Sequence, residues 1–272
     1  MQPNPTAVAG EPGRGHTATL SVVIITYNEE ANLGHALESV EGLVRDSGGE
    51  IVVVDSGSTD GTAEIARSFG AKVFAHPWDG FAAQRNWALE QATSEWVLPL
   101  DADEVVTPEL AEEIRQALAS GRQVNGYWLA RKNHFLGRWM RHGGFYPDPK
   151  LRLFRRGAGQ FENRLVHEPL QVSGPTASLR EPLIHNAYPT LEGYIQHMNH
   201  YSSLGAQMAR NEGYRGLMLL DVALRPLATF AYNYVVRLGF LDGREGLLLH
   251  LYHAVYVSWK YAKLWELGRK PR

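Results

Sequence analysis

Two acidic turns carry the residues best suited to chemistry, and each follows an apolar run. Trp96-Val97-Leu98-Pro99-Leu100 leads into Asp101-Ala102-Asp103-Glu104. Ile51-Val52-Val53-Val54 leads into Asp55-Ser56-Gly57-Ser58-Thr59-Asp60-Gly61-Thr62. Short runs rich in Val, Ile and Leu, bounded by turn residues, read as buried strands. Ligands of an open α/β sheet sit beyond the carboxyl ends of its strands, which is where both turns fall. Side chains at i and i+2 of an extended segment share a face, so Asp101 and Asp103 can meet one ion. A magnesium-type cation needs only one or two carboxylates when a diphosphate supplies the rest. The alternative is a solvated acidic turn ahead of the next helix. Asp55 can accept a hydrogen bond from a base or ribose, while Asp60 and the nearby hydroxyls can cap a helix. The turn lacks Gly-Lys-Ser/Thr and is therefore not a Walker phosphate loop.

Other segments offer binding groups. Thr26-Tyr27-Asn28-Glu29 ends an apolar run. It reads either as a base and ribose pocket, with Tyr27 stacking, or as a strand end with Asn28 capping a helix. Arg85, in Gln84-Arg85-Asn86, could meet a nucleotide or lie on a helix surface. Glu168, in Arg164-Leu165-Val166-His167-Glu168, could serve as a general base or be a paired surface charge. Asp148, in Tyr146-Pro147-Asp148-Pro149, is the reserve base.

The elements that must position these residues alternate. Leu20–Ile25, Ile51–Val54, Lys72–Ala75 and Trp96–Leu100 read as strands. Helical spacing links Leu33, Ala36, Leu37, Val40 and Val44, then Ala63, Ala66 and Phe69, then 81–91. Thr107-Pro108-Glu109 opens another helix with a capping hydroxyl and a proline at its first position. Such alternation predicts a doubly wound, mostly parallel α/β sheet. Beyond Gly121 the pattern changes: 127–131, 150–154 and Leu183-Ile184-His185 read as strands around a long Gly- and Pro-rich stretch. From about Leu191 the chain reads as helix nearly to its end. The expected division is a leader over 1–18, a catalytic domain over 19–190 and a helical extension over 191–272.

At 272 residues, 44% apolar and 21% charged, the chain has ample material for a core. A net charge of −2 implies no strong global attraction to nucleic acid or to anionic lipid. With no cysteine there is no disulfide, thiolate nucleophile or cysteine zinc site. Residues 1–18 are rich in Pro, Gly, Thr and Ala without an apolar stretch, which predicts disorder and not a signal peptide. From Arg210 onward there are ten basic and five acidic residues. Leu217–Leu241 is apolar but carries Asp221, Arg225, Pro226 and Arg237, too polar to span a bilayer. Leu247–Leu267 sets Tyr252, Tyr256, Trp259, Tyr261 and Trp265 among lysines and histidines, which suits a headgroup boundary. These helices could equally pack on the catalytic domain or form a homodimer.

The strand-end Thr26-Tyr27-Asn28-Glu29, the Asp55–Thr62 turn, Gly80 through Arg85-Asn86 and Asp101-Ala102-Asp103 occur in the order of family 2 inverting glycosyltransferases with the GT-A fold, which the chain resembles. Leu151-Arg152-Leu153-Phe154-Arg155-Arg156 followed by Val166-His167-Glu168 resembles a bacterial branch, the lipopolysaccharide core glucosyltransferases. The resemblance implies that Thr26, Tyr27, Glu29, Asp55 and Arg85 hold a nucleotide, here uridine. It implies that Asp101 contacts ribose or metal and that Asp103 holds Mg²⁺ or Mn²⁺ on the diphosphate. The catalytic pair would be Asp103 and Glu168, since the acidic pair that many members carry downstream is absent. The Gln-x-x-Arg-Trp motif of processive members is also missing, which implies one sugar per acceptor. The implied partners are a nucleotide-sugar donor and a lipid-linked glycan acceptor, and the C-terminal helices predict attachment at the inner face of the cytoplasmic membrane. A nucleotidyltransferase would instead show an N-terminal glycine-rich loop with Arg and Lys. A non-catalytic sugar or lipid binder would need neither Asp103 nor Glu168.

Overall fold

The computed structural model of the chain describes residues 18–162, 169–214 and 218–269. Residues 1–17 of the expected leader and the Asn163–Glu168 segment, with the expected base Glu168, lie outside the described residues.

The first half alternates as its sequence predicts. β1 (Leu20–Thr26), α1 (Leu33–Ser47), β2 (Glu50–Asp55), α2 (Thr62–Ser68), β3 (Lys72–Ala75), α3 (Phe81–Glu90) and β4 (Trp96–Asp101) follow one another. β1 runs parallel to both β2 and β4, and β2 runs parallel to β3. Alternate side chains serve two cores. Val22, Ile24, Ile51, Val53, Leu98 and Leu100 face α1 and the next helix, whereas Val23, Val52, Val54 and Val97 face α3. Burial on both faces explains why these strands read as continuous apolar runs. The register sets Thr26 opposite Asp55 and Ile25 opposite Asp101, so the strand-end residues share one edge.

β5 (Glu104–Val105) and α4 (Pro108–Ala119) come next. The Thr107 hydroxyl accepts the Leu110 amide (3.1 Å) and Pro108 opens the helix, as expected. The strand expected over 127–131 is in fact two, β6 (Gly126–Leu129) and β7 (Arg131–Phe135). The chain then forms β8 (Arg138–Trp139), β9 (Lys150–Arg155), β10 (Gly159–Phe161), β11 (Leu170–Val172), β12 (Thr176–Ser178) and β13 (Leu183–Tyr188). The large sheet has the order β12-β6-β9-β4-β1-β2-β3, with β9 antiparallel to its neighbours. β7 leaves that sheet for a second one, β5-β13-β7-β8. Strands of two or three residues such as β5 and β8 are too short to show a period.

Asn28 does not cap α1, contrary to the sequence expectation. It sits at φ 53°, and its side-chain oxygen accepts the Thr59 amide (2.8 Å) across the strand-end gap. The helix begins at Leu33 instead, where the Glu29 carbonyl accepts the Asn32 and Leu33 amides.

The C-terminal region departs from one continuous helix. α5 (Leu191–Asn211) starts on a Thr190 cap and ends before Gly213, at φ 74°. After residues 215–217, which are not described, come a wide π-type turn over Leu220–Leu224, α6 (Arg225–Phe230), a second wide turn over Ala231–Val236 and a short 3₁₀ turn over Gly239–Asp242. α7 (Gly243–Leu267) then packs along α5 and α6. Pro226 has no amide to donate to the preceding turn, and the Ser258 hydroxyl of α7 donates to the Val222 carbonyl instead (2.8 Å). Among the described residues no helix is long and apolar enough to cross a membrane.

His250 joins this region to the Gly-rich loop. Its ring is buried with no hydrogen-bond partner on either nitrogen. Gly143 and Gly239 press against it so closely that a Cβ would come within 2.0 Å and 2.2 Å of the ring. Burial, helped by His253 and opposed by Asp242, pushes its pKa down to about 4. The unfolded chain takes up this proton near pH 6.5, the folded chain only near pH 4, so stability falls with pH across that window. The expected loss from this residue is up to about 3 kcal/mol. Thermal melts between pH 7 and 4.5 (about the window in which a histidine titrates) check this. His250→Gln should show a shallower slope than the parent, and equal slopes would contradict the assignment.

Candidate active site

The edge formed by the ends of β1 and β2 is laced by short polar bonds. Asp55 folds its own turn: one oxygen accepts the Gly57 and Ser58 amides (3.2 and 3.0 Å) and the other accepts the Ser58 hydroxyl. The Asn28 amide donates to Ser58 Oγ and the Glu29 amide to Thr62 Oγ1, both at 2.8 Å. Asp60 accepts the Thr62 amide at the start of α2 (3.1 Å) and the Glu30 amide (3.2 Å). These bonds make a firm wall from which the Tyr27 ring projects, 57% exposed. The Thr26 hydroxyl is buried without a partner. Burial raises the Glu29 pKa, and the Asp103, Asp60 and Asp101 charges add to this against the lowering bond from Asn32.

Asp101 lies at the centre of a buried ionic chain. Arg85 donates to its Oδ1 (2.7 Å) and Arg152 to its Oδ2 (2.6 Å). Arg85 also lies over the Phe161 ring, 5.2 Å from its centroid. Asn86 holds that residue by a reciprocal pair of bonds to the Phe161 backbone, each 2.9 Å. Arg152 donates to Glu104 Oε1 (2.8 Å), which also accepts from Arg131 (3.1 Å). The second Glu104 oxygen accepts the Asp101 amide (2.9 Å), and the Glu104 side chain is fully buried. Arg131 in turn grips Asp148 through Nε and Nη2 (3.0 and 2.7 Å). Burial alone would raise the Asp101 carboxyl, but Arg152 and Arg85 hold it far below the usual carboxylate range. Burial also opposes ionisation of Asp148, yet Arg131, the Asn133 bond and Lys150 bring its pKa down to about 2. The same carboxylates outweigh burial at Arg152 and Arg131 and raise both guanidinium pKa values.

Asp103 stands apart from this chain. Its carboxylate is partly open, and His185 Nε2 lies 3.4 Å from its Oδ2. β13 pairs with β7 so that His185 sits opposite Asn133, and His185 Nδ1 is 2.6 Å from Asn133 Oδ1. The Asn133 amide nitrogen donates to the Phe145 carbonyl and to Asp148, so its oxygen must be the acceptor for His185. The proton therefore sits on Nδ1 and Nε2 is turned to Asp103. Protonated, the ring pairs with the carboxylate; neutral, it offers a lone pair beside it. A carboxylate oxygen suits Mg²⁺ or Mn²⁺, and an imidazole nitrogen beside it favours the transition metal Mn²⁺ over the oxygen-seeking Mg²⁺. Among the described residues no three acidic or histidine side chains form a metal cage, so further donors would come from a bound molecule or water.

The described residues expected from sequence thus gather at one edge. Thr26, Tyr27, Glu29 and Asp55 line the wall, and Asp101 and Asp103 lie beside it. Arg85 turns to Asp101 and is not left on the helix surface. Both Asp101 oxygens are engaged by arginine, whereas Asp103 keeps an open side. Sequence reading missed Glu104, Arg131, Asn133 and Arg152 as parts of the site and set His185 aside. One signal was available: Arg152 stands between Leu151 and Leu153 inside an apolar strand, and a buried arginine demands carboxylates.

This sheet with its acidic strand-end turns is a GT-A fold. The sequence profile of Glycosyl transferase family 2 matches residues 21–183. A lipopolysaccharide core biosynthesis glycosyltransferase, LpsC of Rhizobium meliloti (strain 1021), is 32% identical over 91% of this chain and 92% of its own length. An uncharacterized glycosyltransferase of Rickettsia typhi is 29% identical over 93% and 89%. The mannosyltransferase PcManGT from Pyrobaculum calidifontis, solved with GDP-Man and Mn²⁺, superposes with a TM-score of 0.54 at 18% identity, over 98% of this chain and 92% of that one. The chain belongs to glycosyltransferase family 2.

Proposed function

We propose that the protein transfers one sugar, with inversion, from a uridine-diphosphate sugar to a lipid-linked glycan of the lipopolysaccharide-core kind. The observation that carries this reading is the Asp103–His185 pair, open at the end of β4 beside the Tyr27 wall. The acceptor class is supported by the LpsC relative, which spans nearly the whole chain.

In this reading Tyr27 stacks on the base, and Thr26, Glu29 and Asp55 shape the base and ribose pocket. Arg85 and Asp101 set the edge against which the ribose and diphosphate lie, and Arg152 with Glu104 fixes Asp101. Asp103 would hold Mg²⁺ or Mn²⁺, with His185 a further ligand if the ion is Mn²⁺, and either cation when bound neutralises charge on the departing diphosphate. Glu168 takes the proton from the acceptor hydroxyl as its oxygen attacks the anomeric carbon from the face opposite the leaving group. Asp148 is poorly suited to that role, because with a pKa of about 2 it is a weak base, and Arg131, Asn133 and Lys150 already occupy it. The protein works at the cytoplasmic face of the membrane, held there by its C-terminal helices.

The test is product analysis after incubation with nucleotide sugars and envelope lipid extracts. The expected products are free nucleoside diphosphate and an acceptor heavier by one sugar, both suppressed by EDTA. Release of pyrophosphate would make the protein a nucleotidyltransferase, and absence of turnover with every donor would make it a binder.

A further inference from the structure

The placement of the C-terminal helices at a membrane leaves open which surface makes the contact. Resting on that reading, we infer that the face built from residues 218–241 docks on an anionic lipid surface, entering one leaflet without crossing it. The aromatic α7, the favoured element on sequence, is mostly half-buried against α5 and α6. The exposed apolar side chains are concentrated before it. Leu219, Leu227 and Val236 are 75%, 65% and 66% exposed, and Leu224, Tyr232 and Phe240 are exposed beside them. So many exposed apolar side chains within one segment point to an interaction site.

Charge selects the occupant. Arg225 and Arg237 are exposed within the segment, and Arg244 is exposed just beyond it. The acid in this stretch, Asp221, is buried and bonded to Arg225 and to the Tyr214 hydroxyl. With Arg225 paired to Asp221, the net positive charge of the 218–241 face comes from Arg237, with Arg244 just beyond it, and no carboxylate of the stretch is exposed. A two-fold dimer through this face would bring two copies of the Arg237 charge into one interface with no exposed carboxylate of the 218–241 stretch to answer them. Anionic headgroups answer both features, because acyl chains accept the apolar side chains and phosphates accept the guanidinium groups.

The same segment is bonded to the loop before Asp148. The Gly143 amide donates to the Arg237 carbonyl (2.9 Å), and Asp242 accepts both the His142 amide and ring nitrogen (2.8 Å each). A docked face would thus bring the loop next to the active site close to the headgroups from which a lipid-linked acceptor projects.

Sedimentation of the full chain tests this. The probes are vesicles of phosphatidylethanolamine with phosphatidylglycerol, and vesicles of phosphatidylcholine alone. The parent should sediment with the anionic vesicles and be released as salt rises. L219Q/L227Q/V236Q changes only exposed side chains, so it should melt like the parent and lose on the order of tenfold or more in vesicle binding. Its nucleoside-diphosphate release on a detergent-dispersed acceptor should match the parent. The inference is overturned if the parent ignores anionic vesicles at low salt or if the triple variant binds them as well as the parent. It is equally overturned by a solution dimer that the variant dissociates and vesicles do not. Vesicle binding without any turnover supports docking and counts against the catalytic reading alone.

Discussion

Asp103→Ala should cut sugar transfer by about a thousandfold or more while leaving the fold intact. The magnitude follows from what a lost cation would leave: a departing diphosphate with its charge unneutralised at the moment of bond cleavage. The fold should survive because the side chain is partly open and not part of the Arg85–Asp101–Arg152–Glu104 chain. Its backbone carbonyl, which accepts the Asn186 amide at 3.0 Å, is retained in alanine. Nucleoside-diphosphate release measured across a Mn²⁺ titration, together with a thermal melt, separates the two effects. Donor affinity should become insensitive to metal in the variant. Parent-like turnover in chelator by this variant would remove Asp103 from the metal site.

The second large effect is on stability. Arg152 is nearly fully buried between Asp101 and Glu104. Removing one partner of such a group strands the others in a poorly solvated place, which costs about 3–5 kcal/mol. Arg152→Met is therefore expected to lower the melting temperature by roughly 10 °C in a chain of this size. Adding Glu104→Gln should restore part of the loss, because one orphaned charge then disappears, although the Arg131 contact is weakened with it. Arg85→Met, at the more open end of the chain, should cost less. A melt of Arg152→Met within about 2 °C of the parent would show that the ionic chain adds little to stability.

Local pattern reached the strand ends and stopped where long-range pairing began. β1 to β4 were legible because both of their faces are buried and acidic or polar turns follow at once. That placed Asp55, Asp101 and Asp103 on one edge before any contact was seen. Glu104 read as one more acid in a turn, since nothing near it in sequence shows that it meets Arg131 and Arg152, 27 and 48 residues away. His185 lies 52 residues from the asparagine that fixes its proton, in a sheet built partly of two-residue strands. Asn28 misled because a polar residue ahead of an apolar helical pattern usually caps it; here Ser58 and Thr59 across the gap compete for it and win. At the C-terminus, composition suggested a membrane surface and the aromatic pattern drew attention to α7, but α7 is mostly half-buried against α5 and α6, and periodicity does not reveal which face another helix covers.

The most direct measurement is the configuration of the anomeric carbon in the sugar added to the acceptor, read by NMR after transfer from an α-linked nucleotide sugar. The proposed single displacement, with Glu168 as base and a cation at Asp103 and His185, predicts a β-linked product, formed with Mg²⁺ or Mn²⁺ and not in EDTA. An α-linked product, or the same β-linked product formed at full rate in EDTA, would contradict it.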